Sequence, residues 1–288
     1  MKSLIETLAD ARRRQVAVGH FNISELTAFK AIVESALELK LPVMVGVSEG
    51  EREFIGVAES AALVKTAREQ HGLPIFLNAD HTHSLAKAVE AAKAGFDEVI
   101  FDGSALPFEK NVEETRRAVE TLKSINPGIV VEVEIGYIGS SSAILEQRPN
   151  GMSALSTPEE ARQFVEATKV DVLAPAVGNM HGMLESMVKG EAKKRLDLGL
   201  IAELSKATGA FMTLHGGSGT NDDDFRTAIK NGMTIVHVNT EIRIAWRRGF
   251  EAALKAHPNE VAPYKILPEG VAAIKQIVTA RLKLFNFM

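Results

Sequence analysis

The sequence contains no cysteine. Disulfides, thiolate zinc sites and cysteine nucleophiles are therefore excluded, and any metal has to rest on His, Asp or Glu. It has no apolar run long enough to span a bilayer and no secretory signal pattern. The expected location is cytoplasmic, with no membrane partner. Neither sign of charge is in excess. Against 37 Asp and Glu, 33 Lys and Arg leave −4, which gives no electrostatic footprint for nucleic acid. The short basic runs Arg12-Arg13-Arg14, Lys193-Lys194-Arg195 and Arg247-Arg248 read as solvated faces. No G-x-G-x-x-G follows the first strand, as an open dinucleotide-binding sheet would normally require. No linker or low-complexity segment interrupts the 288 residues, of which 45% are hydrophobic, enough for a sizeable core.

What is present is a repeat: a short β-branched run, a polar or glycine-containing tip, then an amphipathic helical segment. Val16–Asn22 leads into a helix over Glu25–Lys40, and Pro42–Ser48 into one over Gly56–Gln70. Pro74–Leu77 is the third strand, followed by Leu85–Lys93. Glu98–Ser104 is the fourth, followed by Val112–Ile125. Ile129–Ile135, Val170–Val177, Phe211–Leu214 and Thr234–Val238 complete eight, each with a helix behind it, and Pro263–Met288 adds helix at the end. Eight such units spaced roughly 25 to 40 residues apart predict an α/β fold, a single (β/α)8 TIM barrel over 1–288 with extra C-terminal helices.

In such a barrel the C-terminal ends of the strands converge on one rim, where chemistry is done. Of eight histidines, six fall at these ends: His20, His81, His83, His181, His215 and His237. Asn78-Ala79-Asp80-His81-Thr82-His83-Ser84 puts a carboxylate and two imidazoles above the third strand, with Ser84 as N-cap of the next helix. Three imidazoles and an open position make a catalytic zinc arrangement, and His81, His181 and His215 are the best trio. His83 is an alternative to His81, or a group behind it. Asp102, Glu132 and Glu134 also fall at strand tips. His215-Gly216-Gly217-Ser218-Gly219, before the helix cap Asn221, offers successive backbone N–H groups to an anion, with Asn239-Thr240 closing the same pocket. The substrate expected from these features is a small phosphorylated compound.

These motifs, with Val133-Glu134-Ile135-Gly136, Val177-Gly178-Asn179-Met180-His181-Gly182 and Asn239-Thr240-Glu241, occur in the order found in one family. The chain resembles the class II, zinc-dependent fructose-bisphosphate and tagatose-bisphosphate aldolases over nearly its whole length. The resemblance implies zinc on His81, His181 and His215, with Asp80 as the acid/base on the hydroxyl that becomes the aldehyde oxygen. Gly182, Gly216, Ser218, Asn239 and Thr240 would hold phosphate, with a monovalent cation (sodium or potassium) nearby. Asn22 and Ser48 match rim positions that contact substrate. Glu134 matches a carboxylate near the metal, an alternative ligand or orienting group. A homodimer or homotetramer is implied, with the C-terminal helices as candidate contacts. A Schiff-base lysine at the rim end of the sixth strand, which the metal-independent aldolases need, is absent.

Three places depart from the family. The loop after the fifth strand reads Ile138-Gly139-Ser140-Ser141-Ser142-Ala143, with no acid before Glu146 to handle the proton on the nucleophilic carbon. His237, a substrate-contact position, stands where asparagine is usual, and Val236 replaces a common lysine. Lys189-Gly190 comes later after His181 than the family's lysine-glycine, so Lys189 is not assigned to phosphate. An aldolase for a different ketose phosphate and a non-catalytic sugar-phosphate binder are therefore the alternatives. A barrel hydrolase built on His81-Thr82-His83 is disfavoured, because that motif belongs after the first strand rather than the third.

Overall fold

The structure is a computed structural model that describes residues 2–139, 141–148 and 154–288. Its strands are β1 (Val18–Asn22), β2 (Val43–Val47), β3 (Ile75–Thr82), β4 (Glu98–Phe101), β5 (Val130–Ile135), β6 (Ile144–Leu145), β7 (Val172–Pro175), β8 (Met183–Leu184), β9 (Phe211–Leu214) and β10 (Met233–Val238). All but β6 and β8 close into one parallel barrel in the order β1-β10-β9-β7-β5-β4-β3-β2, the expected (β/α)8 architecture. β6 and β8 pair with each other in a separate two-stranded sheet and tie the loop after β5 to the loop after β7.

The helices are α1 (Leu4–Arg14), α2 (Leu26–Leu39), α3 (Glu49–Ile55), α4 (Val57–His71), α5 (Leu85–Ala94), α6 (Phe108–Ile125), α7 (Pro158–Thr168), α8 (Glu185–Val188), α9 (Leu198–Thr208), α10 (Asp222–Lys230), α11 (Thr240–Ala256) and α12 (Pro263–Phe285). α12 is the expected C-terminal helix, and the repeat accounts for α2, α4 to α7 and α9 to α11 but not for the short α8. It does not account for α1, which starts in a capping box between Ser3 and Glu6, or for α3, whose N-cap is Ser48.

Period-two alternation sorts the barrel interior into levels. At the N-terminal end Val18, Met44, Phe76, Val130, Val172 and Ile235 form one apolar cluster with Leu4, Leu8 and Ala11 of α1, so this helix stoppers the barrel. Two residues further along the strands the interior turns polar, with His20, Asn78, Glu98, Glu132 and His237 all buried. Gly46 makes room there: a Cβ on it would lie 2.1 Å from the His20 ring. Alternate residues such as Val45, Leu77, Val99, Val131 and Val133 pack outward in the larger cluster beneath the helices.

Candidate active site

β3 extends past the expected Leu77 to Thr82, so Asp80 and His81 belong to the strand itself. Its pairing with β4 slips between Ala79 and Thr82, and His81 takes a left-handed φ of 38°. That conformation is unfavourable for a residue with a side chain and persists only where its surroundings impose it. Arg52, buried on α3, supplies the constraint. It donates to Val47 O at 2.6 Å, Asp80 O at 3.3 Å and Thr82 Oγ1 at 3.0 Å, clamping the ends of β2 and β3.

The bulge brings His81 to His181, which follows β7, and His215, which follows β9. One ligand atom from each of these and one from Glu134 on β5 lie within 4.8 Å of one another. His81 Nε2 is 3.2 Å from His215 Nδ1, while Glu134 Oε2 is 3.7 Å from His215 Nδ1 and 3.9 Å from His181 Nε2. Glu134 Oε2 and His181 Nε2 are buried and have no hydrogen-bond partner among the described residues. Buried polar atoms left unpaired are costly, and a cation among them removes that cost. The donor set, three imidazoles and one carboxylate, suits zinc.

Carboxylates also stand behind two of the rings. His81 Nδ1 is 2.7 Å from Asp102 Oδ2, whose other oxygen accepts from the Ser104 N–H and hydroxyl. His215 Nε2 is 2.5 Å from Glu132 Oε1. Each carboxylate fixes a ring so that its other nitrogen faces the cluster. Glu132 is thus not a rim residue, as its position in the strand suggested, but lies one level down under His215. His83 is exposed, outside the cluster.

Asp80 is held by Asn22, whose Nδ2 donates to Asp80 Oδ2 at 2.8 Å and to Glu51 Oε2 at 2.9 Å. Burial alone would raise the Asp80 carboxyl, but the His81, His20 and His215 imidazoles and the Asn22 bond keep it well below the usual carboxylate range. Burial would lower His81, and Asp80 and Asp102 overcome this and raise it to about 10. An incoming metal displaces that proton. Burial, with neighbouring imidazoles adding, drives His215 and His237 well below the ordinary histidine value. His237 is stacked between His20, at 3.5 Å between ring centroids, and His215, at 4.1 Å, so both it and His20 lie deeper than the rim.

A pocket of about 240 Å³ opens over this cluster, the size for one small metabolite. Asn22, Ser48, Asp80, His81, His181, Gly182, Gly216, Ser218, His237, Asn239 and Thr240 line it, while Glu134 and His215 are buried behind the wall. Sequence reasoning missed Glu49 and Arg243, which also line it; Arg243 is bonded to Glu51 at 2.7 Å.

The glycine-rich side of the pocket is built for close approach. Gly216 has φ 60°, and a Cβ there would stand 2.1 Å from Met180 O. Gly182 has φ 74°, and its Cβ would meet Ala143 O at 2.7 Å. Thr240 begins α11, so the helix's positive end faces this corner. The loop after β5 folds onto it: Thr240 Oγ1 donates to Ser142 O at 3.0 Å and Asn239 Nδ2 to Ser142 Oγ at 3.3 Å. Ser140 of that loop lies outside the described residues. Glu146 is exposed and does not line the pocket.

The family model for class II fructose-bisphosphate aldolases matches residues 2–288. A probable fructose-bisphosphate aldolase from Bacillus subtilis (strain 168) is 35% identical over 287 residues, 99% of this chain and 97% of that protein. A fructose-bisphosphate aldolase from Geobacillus stearothermophilus is 35% identical over 288 residues, covering 99% and 96%. Among solved structures, the YdjI aldolase from Escherichia coli K12 superposes with a TM-score of 0.83 at 25% identity, covering 99% of this chain and 97% of the other.

Proposed function

The chain belongs to the class II fructose-bisphosphate aldolase family, and on that premise we propose that it is a zinc-dependent aldolase. It reversibly cleaves a ketose phosphate such as fructose 1,6-bisphosphate to dihydroxyacetone phosphate and an aldehyde. The observation that carries this reading is the convergence of His81, His181, His215 and Glu134, with two orphaned buried atoms among them, at the pocket that Asp80, His81 and His181 line.

His81, His181 and His215 would hold the zinc, with Glu134 as an alternative ligand or orienting group. When bound, zinc supplies a Lewis acid for the substrate ketone and for the enediolate charge left by cleavage. Asp80, kept ionised by its surroundings, takes the proton of the hydroxyl on the aldehyde side as the carbon–carbon bond breaks, and returns it in the condensation direction. Asn22 orients that carboxylate through its 2.8 Å bond. Gly182, Gly216, Ser218, Asn239 and Thr240 bind the phosphate, and Ser48 on the opposite lip contacts the rest of the substrate. The enzyme acts in the cytoplasm as a homodimer or homotetramer. Exposed Trp246 and Leu254 on α11 and Tyr264 on α12 are the contact candidates.

The test is cleavage of fructose 1,6-bisphosphate, coupled to detection of dihydroxyacetone phosphate. It is run on the protein as purified, after chelation, and after zinc is restored. Activity that vanishes with the chelator and returns with zinc is the expected result. No activity in any of the three, with zinc bound stoichiometrically, would count against fructose 1,6-bisphosphate as substrate.

One observation favours a different ketose phosphate as the preferred substrate. His237 lines the pocket with its Nε2 unpaired among the described residues. A ring there presents a different shape and hydrogen-bonding pattern to the substrate from an amide. A panel of ketose phosphates ranked by kcat/KM decides it, and fructose 1,6-bisphosphate far ahead of all others would reject the altered preference.

A further inference from the structure

Lys194 belongs to a basic run expected to be solvated, yet it is fully buried, while Lys193 and Arg195 on either side are exposed. Its ammonium donates to Met180 O at 2.7 Å, Gly182 O at 2.7 Å and Gly216 O at 2.8 Å. These three bonds use all three donors of a lysine and have the length of charge-assisted bonds. No carboxylate forms an ion pair with it among the described residues. Glu241, whose charge acts on it without bonding it, has both oxygens bonded to Arg281. The lysine backbone is pinned as well, its N–H to Gly219 O at 2.8 Å and its carbonyl to Asn221 N at 3.1 Å.

The three carbonyls come from the two loops that carry His181 and His215, and Gly182 and Gly216 both line the pocket. A cage of backbone carbonyls is a ligand set in which a potassium or sodium ion exchanges its hydration shell for protein oxygens. Here the cage is filled by a covalently attached cation, so the residues present do not fit the mobile ion implied by the family resemblance. Beneath the anion cradle lies a cationic side chain that, among the described residues, has no carboxylate bonded to it. Burial pushes that ammonium down to about 7, and a phosphate dianion in the pocket acts in the opposite sense.

We propose that Lys194 is the built-in cation of the phosphate subsite. Its ammonium staples the His181 and His215 loops from below, takes the place of a mobile monovalent ion, and makes phosphate binding independent of sodium and potassium. This rests on the phosphate-binding reading of the pocket. Lys194 acts through Gly182 and Gly216, and is a positioning residue.

The experiment is calorimetric titration of the zinc-loaded full chain with inorganic phosphate in sodium, potassium, ammonium or tetramethylammonium chloride at one ionic strength. For the wild type, the expected affinities agree within about twofold across the four salts. Lys194→Met, which fills the space without charge, should bind phosphate about tenfold or more weakly in all of them. Lys194→Ala, which opens the space, should be equally weak in tetramethylammonium and recover in potassium or ammonium.

A wild type that needs sodium or potassium would overturn the proposal. So would wild-type affinity in Lys194→Met, or a Lys194→Ala protein that no small cation restores. Circular dichroism checks that both variants are folded. If they are not, the wild-type salt series still decides. Because inorganic phosphate binding needs no turnover, a protein that binds it independently of cation but cleaves no ketose phosphate would contradict the aldolase reading and leave this one standing.

Discussion

The two ends of the same barrel strands are built from opposite chemistries. At the N-terminal end Val18, Met44, Phe76, Val130, Val172 and Ile235 meet Leu4, Leu8 and Ala11 of α1, side chains that carry no hydrogen-bond donor. A few residues further along, the interior holds His20, Asn78, Glu98, Glu132, Glu134, His215 and His237, almost all without exposure. The first region is cohesive because dry apolar packing stabilises it without geometric demands on individual atoms. The second gains little from burial and depends on every donor meeting an acceptor or a metal. The contrast assigns stability to one end and chemistry to the other, and variants at each end should break different properties.

The largest effect is expected at the rim. His81→Ala should abolish stoichiometric zinc binding and lower kcat/KM by at least about a thousandfold, as loss of several kcal/mol of charge stabilisation implies. Circular dichroism should change little. Equal losses of activity and of fold would blur the division. At the other end, Leu8→Ala should cost about 2–5 kcal/mol of unfolding free energy, read by denaturant titration, with kcat and zinc content unchanged. Reduced kcat in that variant would argue that the two ends are coupled. Smaller again, Glu132→Gln should weaken zinc binding by about 10–100-fold by loosening the His215 ring, a competition experiment with a chelator.

A further effect is on pH. Burial raises the Glu98 carboxyl to about 8 from an ordinary 4.5, despite the bond from Asn78. The folded protein keeps this proton where the unfolded chain releases it. The stability it contributes is full below pH 4.5 and is lost as pH rises through about 8. Glu98→Gln should flatten that part of the stability–pH curve. An unchanged slope would show that the polar interior carries its charge elsewhere.

The apolar half explains why the architecture was legible. Alternating Val and Ile in short runs, each followed by a helical segment, specify eight strands whatever their tips contain. Helix α1 escaped although its Ser3 and Glu6 form a capping box, because a helix that precedes the first strand lies outside the repeat. For the polar half the residue types were readable and the levels were not. Glu132 and Glu134 stand two apart and point the same way, so the sequence cannot tell that one sits behind His215 and the other beside it. The bulge at His81 rests on Arg52, supplied by a helix that the repeat does not contain. Lys194 was the least visible of all. Its neighbours Lys193 and Arg195 are exposed, and only the paths of two distant loops bury it.

The most direct test of the division is where a metal binds, because the interior offers more than one possible place. His20, Asp80 and His237 also bring ligand atoms within 4.8 Å of one another. Anomalous diffraction at the zinc edge, from crystals grown with zinc, locates the ion without reference to activity. One strong peak is expected among His81, His181 and His215, within bonding distance of all three. A peak among His20, Asp80 and His237 instead would contradict that, because it would occupy the carboxylate required to carry the proton.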